Sequence, residues 1–117
     1  FASPHTIPPW LLEIYQSMQA EENIIGGRET LLAMANRTPE HVGRSFKKYF
    51  AITPSQFVND LRLDYASDLL LHSTLSPTEI CYKVGFGNLS HFYHLFKKRW
   101  NCSPTNFRKQ QRQTLLI

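Results

Sequence analysis

A block of twelve residues recurs in kind along this chain, and that duplication limits the fold more than any other feature. Phe46-Lys47-Lys48-Tyr49-Phe50-Ala51-Ile52-Thr53-Pro54-Ser55-Gln56-Phe57 is echoed by Phe96-Lys97-Lys98-Arg99-Trp100-Asn101-Cys102-Ser103-Pro104-Thr105-Asn106-Phe107 at an offset of 50 residues. His41 matches His91 at the same offset. Two copies are too few to stack into a solenoid, which needs at least about three repeats to bury a continuous core. They point instead to two tandem units with the same local fold.

The second copy shows what that local fold is. Ser76 can accept an amide hydrogen bond as a helix cap, and Glu79 three residues later completes a capping box. Pro77 suits the first helical position, where its missing N–H costs nothing. Ile80, Cys81 and Val84 then follow at helical spacing. Gly85 ends the run, because glycine enters the left-handed region without a Cβ penalty. A second helix is predicted from about Asn88, with Phe92, Leu95, Phe96 and Trp100 on one stripe and Ser90, His91, Tyr93, His94 and Lys97 on the other side. Short helix, glycine turn, second helix with exposed hydrogen-bonding groups: this is the helix-turn-helix pattern. In the first copy Ala35-Asn36 stands where Val84-Gly85 stands, if the second turn carries one extra residue, and Asn is the next best residue for a left-handed position.

The remaining boundaries follow from caps. Thr38-Pro39, Thr53-Pro54, Ser76-Pro77 and Ser103-Pro104 are four helix starts with one signal, and Gln56 completes a capping box with Thr53. Residues Phe1 to Ile7 read as a linker remnant. Pro8-Pro9 opens a helix through about Glu21, with Trp10, Leu11, Ile14, Tyr15 and Met18 spaced for packing. Ile24 to Gly27 reads as a loop, and Arg28 to Asn36 as a support helix burying Leu31, Leu32 and Ala35. The helix from Pro54 to about His72 is the longest, roughly 28 Å, with apolar residues towards both flanking units. The expected fold is all-α, about seven helices, with two helix-turn-helix units joined by a long central helix. The divisions are an N-terminal segment and first helix over 1–25, the first unit over 26–53, the linker helix over 54–73, and the second unit with the last helix over 74–117.

Composition narrows the partner. A formal charge of +4 and 42% hydrophobic residues suit one to two small domains with an anionic partner. Cys81 and Cys102 lack Cys-x-x-Cys spacing and form no disulfide framework, so they read as reduced and intracellular. No run of 18 or more apolar residues occurs, nor a signal-peptide pattern. The chain begins at Phe1 rather than Met, so a piece of a longer protein is expected.

Ile80-Cys81-Tyr82-Lys83-Val84-Gly85-Phe86, then Ser90-His91-Phe92-Tyr93-His94-Leu95-Phe96-Lys97, then Ser103-Pro104-Thr105-Asn106-Phe107-Arg108 resemble the signature of the AraC/XylS transcription regulators. The resemblance covers roughly Gly26 to Arg112. It implies a two-unit domain binding double-stranded DNA, usually C-terminal to an effector-binding or dimerising domain that these residues do not include. It also implies RNA polymerase as a partner and the bacterial cytoplasm as location, at the nucleoid when DNA-bound. Ala35-Asn36-Arg37-Thr38-Pro39-Glu40-His41 is similar to the chitobiose-operon regulator subgroup.

Candidate base-reading residues are Glu40, His41, Gly43 and Arg44 in the first unit and Ser90, His91, Tyr93 and His94 in the second. Lys47, Lys48, Lys97, Lys98 and Arg99 are the phosphate candidates; exposed lysines that merely face solvent are the ordinary alternative for each. Gly43 either permits close backbone approach or is simply a weak helix position. One departure from the family pattern stands at His94, where Arg is common; the first unit keeps Arg44 at the corresponding place. Histidine cannot make arginine's bidentate contact to guanine.

His91 and His94, three apart, have no nearby Cys or carboxylate to complete a metal site, so neither metal nor cofactor is expected. The Phe and Trp stripes read as core rather than as a base-stacking platform. No nucleophile–base pair, phosphate loop or paired catalytic carboxylates point to an enzyme. The competing reading is a helical protein-interaction module without DNA binding.

Overall fold

The computed structural model describes residues 6–116, and among these lie seven α-helices and no strand: α1 Pro9–Ser17, α2 Glu21–Ala35, α3 Pro39–Phe50, α4 Pro54–His72, α5 Pro77–Lys83, α6 Leu89–Trp100 and α7 Pro104–Leu116. All four Ser/Thr-Pro pairs start helices. Thr38 Oγ1 accepts from the His41 amide at 3.2 Å. Thr53 and Gln56 exchange bonds of 2.9 and 3.1 Å, and Ser76 and Glu79 exchange two of 3.1 Å, so both capping boxes form. Ser103 Oγ accepts from the Asn106 amide at 3.2 Å.

The repeat in the sequence is a repeat in the backbone. Helices α3 and α6 both span 12 residues. Their caps, Thr38 and Asn88, both accept from the amide of the matched histidine. Both helices end on a left-handed residue, Ala51 at φ 63° and Asn101 at φ 63°, whose amide donates to Lys47 or Lys97. Upstream, Asn36 is left-handed at φ 52° and Gly85 lies at φ 111°, and the turn from Gly85 to the next cap is one residue longer than that from Asn36. At that φ an L side chain would be strained, so the backbone favours glycine at Gly85, while a Cβ there would only displace the flexible end of Arg62.

Two sequence expectations change near the start of the chain. The first helix stops at Ser17 rather than Glu21. Side chains finish it: Asn23 Nδ2 donates to the Ser17 carbonyl at 2.7 Å and Gln19 Nε2 to the Tyr15 carbonyl at 3.0 Å, satisfying acceptors a helix end leaves open. A new helix then begins, with Glu21 and Glu22 in its first turn, where the helix dipole favours acids. The expected loop from Ile24 to Gly27 is correspondingly helical except at Gly27, whose φ 69° and ψ −145° only glycine adopts readily. Ile24 is buried. Of the expected linker remnant, Ile7 is buried and Phe1 to His5 lie outside the described residues.

The chain forms two compact units, the first ending at Leu61 and the second beginning at Arg62, so α4 contributes to both. In the first, Leu11, Ile14 and Met18 join Leu31, Ala35, Val42, Phe46, Phe50, Phe57 and Val58 in one core, with Trp10, Tyr15 and Leu32 half-buried against it. In the second, Leu63, Ala66 and Leu70 of α4 pack with Ile80, Cys81, Val84, Phe92, Phe96 and Phe107. Phe96, Trp100 and Phe107 form an aromatic group with ring centroids 4.6–5.5 Å apart. Both cysteines are free thiols, and burial pushes the Cys81 thiol pKa up.

The second unit is tied further by Arg108. Its Nε donates to the Leu70 carbonyl at 2.9 Å and its Nη2 to Ser73 and Leu75 carbonyls at 3.3 and 2.6 Å. Arg112 adds a bond of 2.8 Å to Ser73. One guanidinium on α7 thus satisfies backbone acceptors at and just beyond the end of α4, where no intrahelical donor is available. Burial, then neighbouring Arg112, lowers the pKa of Arg108 from the usual arginine value.

Candidate nucleic-acid interface

Helix α3 is built to bury one stripe and present another. Val42, Phe46 and Phe50 go to the core, while Glu40, His41, Arg44, Lys47 and Lys48 are exposed. Gly43 is half-buried, yet a Cβ built there meets nothing within 4 Å, so the protein's own packing does not require glycine at this position. Helix α6 repeats the scheme. Phe92 and Phe96 are buried, and Ser90, His91, His94, Lys97, Lys98 and Arg99 are exposed. The expected site residues therefore gather on one face of each of two matched helices.

Two of them differ from their neighbours. Tyr93 is half-buried, packed on the second core and edge-on to Phe92 with centroids 5.8 Å apart, so it is partly a core residue. Arg99 forms an ion pair with Asp64 and lies 4.7 Å over the Trp100 ring. Its charge is engaged within the second unit, unlike an arginine held out for a phosphate. Sequence spacing could not show this, because Asp64 is 35 residues away.

Trp10 is a neighbour of the first face that sequence reading assigned only to packing. Its ring stacks on His41 with centroids 5.6 Å apart and an interplanar angle of 28°, and the Arg37 guanidinium lies 4.0 Å over it. Arg37 also donates to the Ala35 carbonyl at 2.9 Å. Beside these residues opens a cleft of about 420 Å³, lined by Pro8 and Trp10 and, from α3, by His41, Arg44, Ser45, Lys48 and Tyr49. The second unit's histidine is set differently, with His91 edge-on to Phe86 at 6.2 Å.

Among the described residues no group of three or more His, Cys, Asp or Glu side chains gathers as a metal site, and no helix is long and apolar enough to cross a membrane. Large apolar side chains exposed among them are Ile25, Met34 and Tyr82, two on α2 and one on α5.

Comparison with known proteins places this arrangement. A family model described as a helix-turn-helix domain matches residues 31–110. The chain is 44% identical over 66 residues to the HTH-type transcriptional activator RhaS of Salmonella arizonae, a match covering 56% of this chain and 24% of RhaS. The chain thus spans about a quarter of the length of the curated relatives it matches. An AraC-type transcriptional regulator structure from Chromobacterium violaceum superposes with a TM-score of 0.76 at 27% identity, covering 90% of this chain and 94% of that one. The DNA-binding domain of AdpA, solved in complex with a target DNA, has the same fold, with a TM-score of 0.77 at 23% identity over 89% of this chain and 94% of its own. With the family model matching more than half of the chain and the two turns repeated in its backbone, this protein belongs to the AraC/XylS family of helix-turn-helix DNA-binding domains.

Proposed function

We propose that the chain regulates transcription by binding double-stranded DNA sequence-specifically, with α3 and α6 entering adjacent major grooves. The observation that carries this reading is the matched pair of helices, each burying its aromatic stripe and exposing hydrogen-bonding and cationic side chains at corresponding positions. RhaS is named an activator and the AdpA domain was solved on DNA, which supports the partner class. The Pro54–His72 helix spans roughly 28 Å, a length of the same order as the separation of about 34 Å between successive major grooves on one face of DNA. Glu40, His41, Gly43 and Arg44, with Ser90, His91, Tyr93 and His94, are the proposed base readers. Lys47, Lys48, Lys97 and Lys98 take phosphates, and Arg99 does so only on leaving Asp64. RNA polymerase and an effector-binding or dimerising domain complete the proposed partners, in the bacterial cytoplasm at the nucleoid.

Selection of bound sites from random DNA, followed by footprinting, tests the reading. Two protected segments one helical turn apart are expected; protection confined to a single groove would contradict the geometry. Salt dependence separates DNA binding from a protein-interaction module, because counterion release makes DNA affinity fall steeply with salt. Neutralising Lys97 and Lys98 together is expected to weaken binding to all sequences and to flatten the log-affinity against log-salt slope by about 1 to 2. A loss restricted to one sequence, with the slope unchanged, would remove these lysines from the phosphate contacts.

Gly43 gives a sharper test, since it separates stability from binding. With open space around its Cβ position, Gly43→Ala should raise stability by about 0.5–1 kcal/mol, the usual gain in a helix interior. If α3 lies close against DNA, the same methyl should lower affinity. A variant both more stable and equally tight in binding would show that glycine here serves no approach.

A further inference from the structure

Residues 31–110 match the family model, but the cleft beside α3 is walled in part by Pro8 and Trp10, which lie before that stretch. We infer that this cleft seats the sugar–phosphate backbone of the DNA strand flanking the first unit's base contacts, making α1 a third element of the DNA surface. The inference rests on the proposed DNA binding and adds a site to it.

The chemistry of the lining favours an anion. His41, Arg44 and Lys48 contribute hydrogen-bond donors, two of them full cations, and no carboxylate lines the cleft. Those three residues fall at i, i+3 and i+7, on one stripe of α3. The two cations stem from positions four residues apart, about 6 Å along the axis, so their charges are strung along α3. A single small anion needs convergence; an extended polyanion running along the helix needs charges in a row.

Trp10 supplies the apolar part of the lining. Its ring is already in contact with Arg37 and His41, so it acts as an apolar surface for deoxyribose rather than as a free stacking platform for a base. The same contact draws the His41 ring towards α1. The cleft thus shares His41 and Arg44 with the first unit's proposed base-reading face.

The test uses the full chain and its selected DNA, with single phosphates of the first half-site replaced by neutral methylphosphonates. For the unaltered chain, one phosphate or two adjacent ones should weaken binding about tenfold when neutralised, the scale of one charge-assisted hydrogen bond. In Lys48→Gln that sensitivity should shrink to less than about twofold, while Arg28→Gln, an exposed cation on α2 outside the lining, should retain it. Lys48 is exposed, so the fold does not depend on it. Trp10→Leu should lose the same sensitivity in a protein whose melting temperature is checked alongside. Absence of coupling at every phosphate, or equal loss in Arg28→Gln, overturns the inference while leaving DNA binding intact. Failure of the unaltered chain to select any DNA overturns both. Titration with inorganic phosphate alone is the remaining arm: saturable quenching of tryptophan fluorescence, lost in Lys48→Gln and without methylphosphonate coupling, would assign the cleft to a free phosphate instead.

Discussion

Arg44→Ala is expected to relax base preference in one half-site more than His94→Ala does in the other. The two residues stand at matched positions on α3 and α6, both exposed. Their side chains differ in what they can grip. A guanidinium reaches guanine O6 and N7 together, a pairing worth about 1–3 kcal/mol of discrimination, or roughly ten- to hundredfold. An imidazole offers at most one comparable bond, and its protonation state changes which groups it contacts. The measurement is a binding-site selection profile for each variant at fixed salt. Equal loss of information in both half-sites, or a larger loss for His94→Ala, would reverse the ranking.

The largest effect on stability is expected from Arg108. Replacing it by Ala strips its donors from the Leu70, Ser73 and Leu75 carbonyls at once, with Arg112 left to serve Ser73 alone. Hydrogen bonds to charged groups contribute about 1.5–3 kcal/mol each, and water can replace part of that at a half-buried site, so a loss of about 2–3 kcal/mol is expected. For a domain of this size that lowers the melting temperature by about 10–15 °C. Arg108→Lys should recover less than half, because one ammonium lacks the planar fork that spans several carbonyls. Thermal unfolding followed by circular dichroism decides; a shift below about 3 °C for Arg108→Ala would mean that the carbonyls are satisfied without it.

Much of this was legible in the residues, for local reasons. A Ser/Thr-Pro pair fixes a helix start through the side chain of one residue and the ring of the next, so the four starts at Pro39, Pro54, Pro77 and Pro104 needed no tertiary information. The left-handed stops at Asn36 and Gly85 are equally local. Where the helix end was made by residues reaching back from the following segment, as Asn23 does to Ser17, spacing alone ran past it to Glu21. The exposed face of α3 and of α6 followed from periodicity, because an aromatic stripe that goes inward dictates what points out. What periodicity cannot carry is contact between distant segments. The pairing of Arg99 with Asp64, the stacking of Trp10 on His41 and the three carbonyls held by Arg108 all join residues 31 or more positions apart.

Ala51 and Asn101 occupy the same left-handed corner, but only one of them is suited to it. Asparagine tolerates that conformation through its short polar side chain, whereas an ordinary Cβ there costs roughly 1–2 kcal/mol. The first unit therefore carries an inexpensive route to improvement that the second has already taken. For anyone engineering a hardier or more evolvable version of this regulator, the corner at Ala51 is a reserve of stability that could offset a costly change of base specificity on α3, without touching any of the proposed base readers.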